Sequence, residues 1–190
     1  ICDDGMGMGP YKIACSMWRE GDKCIFDFTG TDPQSIGSIN FLLNEEMFKM
    51  FAGVYMIMVF DPQILFNDGF YDLMEVRIPA GTLLKPLKPA ALSCRTHALG
   101  RIFDVLGGLL GQGNPAFMCA AGFSDSPHFM YSGYRANGEW YQLYQIGFGG
   151  IPGKPFGDGP DGHSLWPSFT NVPNEFLESY FPLRIDTYET

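Results

Sequence analysis

Charged side chains are scarce in this sequence. Asp, Glu, Lys and Arg make up 17% of its 190 residues, against about 25% in an ordinary soluble domain. Hydrophobic residues reach 46% and aromatic residues 15%, so the chain can bury enough apolar surface to fold, and it is not a disordered protein. Because a free surface needs charge, the imbalance predicts that partner chains cover part of this surface.

Basic residues and cysteines are also few. Twelve Lys and Arg stand against 21 Asp and Glu, which gives a net charge of -9 without any basic cluster, and this predicts that nucleic acid is not a partner. Five scattered cysteines are too few for a disulfide scaffold in a chain of this length. The sequence shows neither a secretion signal nor an N-x-[ST] acceptor, so we expect a reduced, cytoplasmic protein.

No apolar run is long enough to cross a membrane. The longest uncharged stretch, residues 50–60, falls well short of the roughly 18 residues that a membrane-spanning helix needs. It lies in the second half of Asn40–Phe60, whose first half contains several charges. We therefore predict a buried core helix here, ended by Asp61-Pro62, and no membrane partner.

Alternating residues predict strands in the first half of the chain. Tyr11–Trp18 and Cys24–Thr29 alternate around a Glu20-Gly21-Asp22 turn, and this pattern predicts a β-hairpin. Leu73–Ile78 alternates in the same way and predicts a strand with one solvent-exposed face.

A second principal helix is predicted over His97–Leu110, with Thr96 as its N-cap. Its apolar stripe consists of Leu99, Ile102, Phe103, Leu106 and Leu110, which fall on one face at helical spacing. The remaining expected elements are strands Phe117–Ala121, His128–Arg135 and Trp140–Ile146, a short helix around Asn174–Tyr180, and a final strand Leu183–Tyr188.

These elements predict the α+β class. We expect an N-terminal β-hairpin, two principal helices and a mainly antiparallel set of later strands. Asn137-Gly138 is a strong hairpin signal between two of those strands. Residues 1–190 are enough for a single domain, but the glycine-rich opening Asp3–Pro10 is typical of a connecting loop, so a fragment of a larger protein is the alternative.

The segment Asp158-Gly159-Pro160-Asp161-Gly162-His163 offers two carboxylates and an imidazole within six residues. Such a set can transfer protons or contribute to a divalent-ion site. It lacks the further acids of an EF-hand loop. Asp-Gly turns, in which the side chains cap backbone groups, are the other interpretation. Long glycine-rich loops such as residues 147–162 are usually functional.

Other short motifs are incomplete. Gly162-His163-Ser164-Leu165-Trp166 has a bulky residue where a nucleophile elbow needs a small one. The glycines from Gly147 to Gly153 lack the Lys-Ser/Thr of a P-loop. Cys94 and His97 are half of a zinc site without a second pair. Arg101 and Asp104 are helix neighbours that either form a surface pair or line a cleft.

Several of these segments together resemble the hydantoinase B/oxoprolinase family, which also supplies large subunits of acetone and acetophenone carboxylases. The resemblance spans nearly the whole chain. It is carried, in chain order, by Asp27-Phe28-Thr29-Gly30-Thr31-Asp32-Pro33-Gln34 with Gly37 and Asn40, Asn67-Asp68-Gly69, Pro79-x-Gly81 with Pro86 and Pro89-Ala90, Arg101-Ile102-Phe103-Asp104, Gly147-x-Gly149-Gly150, Asp158–Gly162, Asn171 with Glu175 and Glu178, and Tyr180-Phe181-Pro182-Leu183-Arg184.

The resemblance implies a subunit of an ATP-dependent enzyme that opens a cyclic amide or carboxylates a ketone. It implies a hetero-oligomer in which a hydantoinase A-like subunit binds ATP and Mg²⁺. A divalent metal would belong to an upstream Asp/His-rich region that this chain lacks, so the chain matches the C-terminal portion of such a subunit. We expect this chain itself to bind no cofactor or metal.

Residue type and family position together give the candidate site. The candidates for proton transfer are Asp68, Asp158, Asp161 and His163, and those for substrate binding are Arg101, Gly149, Gly150 and Asn171. Glycines allow close backbone approach to an oxyanion, and an arginine can pair with a carboxylate or phosphate. The alternative is a segment without chemistry of its own that docks the ATP-binding subunit, and the aromatic surplus fits that function too.

Overall fold

We analysed a computed structural model of the chain, which describes residues 2–122, 128–147, 150–161 and 171–188. The described strands and helices, in chain order, are β1 (Ser16–Glu20), β2 (Lys23–Asp27), α1 (Glu45–Val59), α2 (Asp68–Asp72), β3 (Met74–Arg77), α3 (Thr96–Gly113), a 3₁₀ turn (Pro115–Phe117), β4 (His128–Tyr134), β5 (Trp140–Ile146) and α4 (Asn174–Tyr180). The α+β class is confirmed.

The predicted N-terminal hairpin is present, but it lies later than expected. β1 and β2 pair antiparallel, ending at Glu20 opposite Lys23. The earlier residues of the predicted strand lie outside this ladder. Tyr11 instead exchanges two backbone hydrogen bonds with Cys2, at 2.8 and 2.6 Å. Ala14 hydrogen-bonds the Thr31 side chain, so the alternation over 11–15 reflects packing without a sheet partner.

β3 completes a mixed three-stranded sheet. It pairs parallel to β2, with Cys24 opposite Met74 and Asp27 opposite Arg77. Met74 and Val76 are buried and Arg77 is exposed, as the alternation predicted. Since parallel neighbours need a long crossover connection, the chain between β2 and β3 contains α1.

α1 is the predicted core helix, but it begins at Glu45. The side chain of Asn44 accepts a hydrogen bond from the Met47 amide at 2.7 Å, which is a typical N-cap, so residues 40–44 are extended. The ring of Phe48 packs edge-on against Phe26 and Phe28, with ring centroids 5.1 Å apart in both pairs. The helix thereby covers the sheet.

α3 is the second predicted helix and is longer than expected at its C-terminal end. Leu99, Ile102, Phe103 and Leu106 are buried, which confirms most of the apolar stripe. Thr96 is the first helical residue and makes no capping bond, so its predicted N-cap role is wrong. The ring of Phe103 stacks on Tyr55 of α1 at 5.7 Å, and this contact joins the two helices.

The later part of the chain contains less sheet than predicted. β4 and β5 form an antiparallel pair, and Gly138 occupies the left-handed region of their turn with φ +80°, as the Asn-Gly signal indicated. The short helix at 174–180 is confirmed. Phe117–Ala121 and Leu183–Tyr188 are not strands. Phe117 instead ends a 3₁₀ turn that Asn114 caps through the Ala116 amide.

None of the helices in the described ranges combines the length and the apolar character needed to cross a bilayer.

Candidate functional site

The segment 27–34, which carries much of the resemblance, is a structural connection. The Thr31 hydroxyl donates to the carbonyl of Ala14 at 3.0 Å and accepts from its amide at 3.1 Å. A carboxylate oxygen of Asp32 accepts from the Lys12 amide at 2.7 Å. These bonds fasten the chain before β1 to the loop after β2.

Gln34 and Asn40 extend this connection to the proline-rich loop. The Gln34 side chain donates to the Leu87 carbonyl at 3.2 Å and accepts from the Leu87 amide at 2.7 Å. Asn40 is fully buried. Its side chain accepts from the Ser35 amide and donates to carbonyls that include that of Ala91. These polar residues hold loops together at positions where a buried backbone group needs a partner.

Arg101 and Asp104 are more than a surface pair. On α3, the Arg101 guanidinium lies 3.2 Å from one carboxylate oxygen of Asp104, whose side chain is only 14% exposed. The other oxygen accepts the Gly122 amide at 3.0 Å. Asp104 therefore links the helix to residues 119–122, here called the bridging segment.

The bridging segment in turn contacts the glycine-rich loop, here defined as residues 150–161. The Ala120 amide donates to the Gly153 carbonyl at 3.0 Å. The loop closes on itself through a 3.0 Å bond from the Ile151 amide to the Pro160 carbonyl. Ile151 is buried in the hydrophobic core, so the loop is anchored at one end.

Glycine is required within this loop at Gly159. A Cβ atom there would lie 1.8 Å from the Ile151 carbonyl oxygen, which no side chain can tolerate. Gly150 has φ +101°, a conformation that L-residues rarely adopt. Of the two glycines proposed for oxyanion contact, Gly150 lies at the start of the loop, and Gly149 lies outside the described residues.

The two predicted acids of the loop are exposed. Within the described ranges we find no hydrogen bond or ion pair from the side chain of Asp158 or Asp161. Turn capping by these carboxylates, the other interpretation of the sequence, is thus not observed in that part of the chain. His163, the third member of the predicted set, lies outside the described residues.

Asp68 and Asn171 are placed away from this arrangement. Asp68 is the first residue of α2, and Asn67 caps that helix by accepting the Gly69 amide; the predicted Asn-Asp-Gly loop is therefore a helix start. Asn171 is exposed and precedes α4. In the described structure no hydrogen bond or ion pair joins either side chain to Arg101 or to the glycine-rich loop.

A buried polar contact beneath the bridging segment was not predicted. The hydroxyl of Tyr55, which is fully buried, contacts the thiol of Cys119. Gly107 makes room for it, because a Cβ there would lie 2.4 Å from the hydroxyl and 2.6 Å from the sulfur. Burial raises the pKa of both groups, so both are neutral at pH 7. The buried hydroxyl serves packing.

A second missed cluster joins the β4–β5 hairpin to α3. His128 hydrogen-bonds the Tyr144 hydroxyl through one ring nitrogen and approaches the Thr96 hydroxyl with the other, at 3.4 Å. Burial, and then the neighbouring His97, lower the pKa of His128. The Asn-Gly turn could have revealed the Tyr144 contact, since it sets the register that places both residues on one face.

We also tested whether this chain could hold the metal that the resemblance implies for the upstream region. No three His, Cys, Asp or Glu side chains come together as a metal site in the part of the chain that the structure describes. The described residues therefore do not fit a resident metal, and we derive no step through one.

The arrangement is accompanied by a sequence match over the whole chain. The family model described as hydantoinase B/oxoprolinase matches residues 1–190. The chain belongs to the hydantoinase B/oxoprolinase family. The B component of a D-/L-hydantoinase from Pseudomonas sp. (strain NS671) is 28% identical over 188 residues, which are 94% of this chain and 31% of that relative. The 5-oxoprolinase PfmaA of Pestalotiopsis fici is 28% identical over 123 residues, covering 64% of this chain and 9% of that protein.

Solved structures share the fold. The ATP-dependent caprolactamase from Pseudomonas jessenii matches 100% of this chain and 34% of its own, with a TM-score of 0.76 and 21% identity. An acetone carboxylase solved without nucleotide matches 89% of this chain and 23% of its own, with a TM-score of 0.68 and 20% identity. The hydantoinase B/oxoprolinase chain described here thus spans about a third or less of these proteins.

Proposed function

We propose that this chain is part of a subunit of an ATP-dependent enzyme that either hydrolyses a cyclic amide or carboxylates a ketone. Family membership supports the proposal, as do relatives named for hydantoinase and 5-oxoprolinase activity. The fold shared with a caprolactamase and an acetone carboxylase is consistent with it. The chain would act on a substrate that an ATP-binding partner has activated.

A hydantoinase A-like subunit is the proposed partner, because the sequence has no P-loop of its own. Phosphorylation of an amide or enol oxygen turns a poor leaving group into a good one. The activated intermediate must then be kept from water. In this proposal ATP and Mg²⁺ belong to the partner, a divalent metal belongs to the upstream region of the subunit, and this chain binds no cofactor itself.

The observation that carries the proposed site is the anchored glycine-rich loop. It presents Asp158 and Asp161 to solvent and is hydrogen-bonded to the bridging segment. Its carboxylates are suited to proton transfer, together with His163. Gly149 and Gly150 would let the backbone approach an oxyanion, while Arg101 would pair with a substrate carboxylate or phosphate.

The test is turnover in the reconstituted complex. The subunit is combined with a hydantoinase A-like partner and assayed with ATP against hydantoin, 5-oxoproline, acetone and acetophenone. Asp158→Asn, Asp161→Asn and His163→Ala should each lower kcat at least about 100-fold, the usual effect of losing a general acid or base. Asp72→Asn, an exposed aspartate on α2, is the matched control. Unchanged turnover in all three variants would overturn the site.

A second function, docking of the ATP-binding subunit, is favoured by the β4–β5 hairpin. One face of it carries Met130, Tyr134, Trp140 and Tyr144, which are 69%, 72%, 56% and 49% exposed; we call these four the aromatic face. Ser132 and Gln142 lie between them, so the face has no charge. Exposed apolar patches of this kind mark interaction sites.

Docking and catalysis predict different defects. Tyr134→Lys with Trp140→Lys should prevent the complex with the hydantoinase A-like subunit, measured as mass in solution. A double variant at Leu65 and Phe156, which are 86% and 87% exposed elsewhere, should leave that mass unchanged. If the aromatic-face variant still forms the complex, this surface does not dock the partner.

A further inference from the structure

We propose that Asp104 is a positioning residue that sets the conformation of the glycine-rich loop through the bridging segment. Its effect on the loop is independent of any reaction. Its effect on turnover rests on the proposed function, in which the loop carries the acids. The inference comes from a continuous series of contacts that runs from α3 to the loop.

The first contact is the double use of the Asp104 carboxylate. One oxygen meets Arg101 at 3.2 Å and the other accepts the Gly122 amide at 3.0 Å. The side chain is only 14% exposed, so water competes little for it. A charge-assisted bond to a backbone amide is stronger than a neutral one, and Arg101 restricts the orientation of the carboxylate.

The second contact fixes the other end of the bridging segment. Asp104 and Gly107 are three residues apart on α3 and share one face of the helix. Cys119 packs at Gly107 against the Tyr55 hydroxyl. Residues 119 and 122 are therefore both held against the same helix, and the segment between them has little freedom to shift.

The third contact transmits this position to the loop. The Ala120 amide lies inside the bridging segment and donates to Gly153. Gly153 follows the buried Ile151, whose amide closes the loop at Pro160. Asp158 and Asp161 flank that closure in sequence. A displacement of the bridging segment therefore moves the two acids, and a misplacement of about 1 Å can cost about 100-fold in rate.

Hydrogen exchange on the full chain is the first test. Asp104→Ala should speed exchange of the Gly122 and Ala120 amides about tenfold or more, since each loses or weakens a bond worth about that factor. Asp104→Asn keeps an oxygen for Gly122 and should have a much smaller effect. Asp186→Ala, which removes an exposed ion pair with Arg184, is the control. Unchanged exchange at Ala120 in a folded Asp104→Ala protein would overturn the proposal.

Turnover in the reconstituted complex separates a positioning role from a purely structural one. Asp104→Ala should lower kcat while KM changes little, and Asp104→Asn should restore most of the loss. Asp104→Glu serves as the second variant if the alanine protein does not fold, because it keeps the charge but moves the carboxylate. Faster exchange with unchanged kcat would refute positioning of the acids. Loss of kcat in Asp104→Ala with unchanged kcat in Asp158→Asn and Asp161→Asn would refute the proposed loop acids instead.

Discussion

At the scale of single residues, Asn40 and Asp27 show what polar side chains in the connecting loops of this fold accomplish locally. Both lie in or beside segments that resemble a catalytic family, yet every contact of Asn40 is with backbone groups of neighbouring loops. Asp27 likewise accepts the Thr29 amide at 2.8 Å. Their side chains are engaged in folding the loops, so their substitution should change stability before it changes chemistry.

Replacing Asn40 by alanine should destabilise the chain by about 3 kcal/mol or more. The substitution leaves several buried backbone groups without partners, and each such group costs about 1–3 kcal/mol. Chemical denaturation monitored by circular dichroism measures the loss. Asn137→Ala, at an exposed turn, should change the unfolding free energy by no more than about 1 kcal/mol. Equal effects of the two substitutions would contradict the role given to Asn40.

Asp27 should make the chain less stable in acid. Hydrogen bonds from Thr29, and then the nearby Arg77, hold the pKa of this carboxyl below its ordinary value of 3.8. A lowered folded-state pKa contributes stability above the ordinary value, and this contribution is lost as pH falls towards the folded-state pKa. The difference in unfolding free energy between the native chain and Asp27→Asn should thus be larger at pH 7 than at pH 3. A pH-independent difference would exclude this cause.

At the scale of elements, α3 is the helix on which the proposed site depends. Two adjacent glycines near its middle differ completely in surroundings. Gly107 faces the contact between Tyr55 and Cys119, whereas a Cβ at Gly108 would meet no atom within 4 Å. The pair separates the packing of this helix from its intrinsic propensity.

Gly107→Ala should destabilise the chain by about 1–3 kcal/mol, because overpacking displaces Tyr55 from its stack on Phe103. Gly108→Ala should stabilise it by up to about 1 kcal/mol through helix propensity. Thermal unfolding of the two variants side by side measures both signs. The same sign in both would mean that the space at Gly107 does not limit the helix.

The sequence predicted elements best where periodicity was strong. Both principal helices, the hairpins and the helix at 174–180 are present, because apolar spacing and the Asn-Gly turn are local signals. The strands expected at Phe117–Ala121 and Leu183–Tyr188 are wrong, since a strand also needs a partner, and pairing is not encoded locally. The bridging segment instead hydrogen-bonds the glycine-rich loop and α3.

The candidate site was predicted in its parts and not in its connections. Arg101 and Gly150 lie in or beside the linked region, and Asp158 and Asp161 lie on the loop itself. The contacts of Asp104 with Gly122 and of Tyr55 with Cys119 join residues far apart in sequence. Such contacts depend on how α1 and α3 pack, which a sequence pattern does not specify.

At the scale of the whole molecule, low charge and exposed aromatic residues belong to the same feature. The chain has a net charge of -9, but the aromatic face contains no charged side chain. A two-stranded ribbon is at best marginally stable by itself. This fits a surface that is covered in an assembly.

The chain alone should therefore bind an apolar fluorescent dye through the aromatic face. Substituting Tyr134 and Trp140 by lysine should reduce the dye signal at least about twofold, because it removes two of the four large side chains from the patch. Addition of the hydantoinase A-like subunit should reduce it likewise. Dye binding that is unaffected by both treatments would place the exposed apolar surface elsewhere.

The parallel pairing of β2 with β3 also sets an order of events during folding. β1 and β2 can zip together from their tight turn, because hairpins form within about 1–10 μs. β3 can join them only after the whole intervening chain, α1 included, has been brought into a closed loop, and the entropy of that closure must be met before the new contacts form. We therefore expect the edge of β2 to stay open until α1 has docked, which makes this edge the place where a nascent chain is most exposed to misassociation.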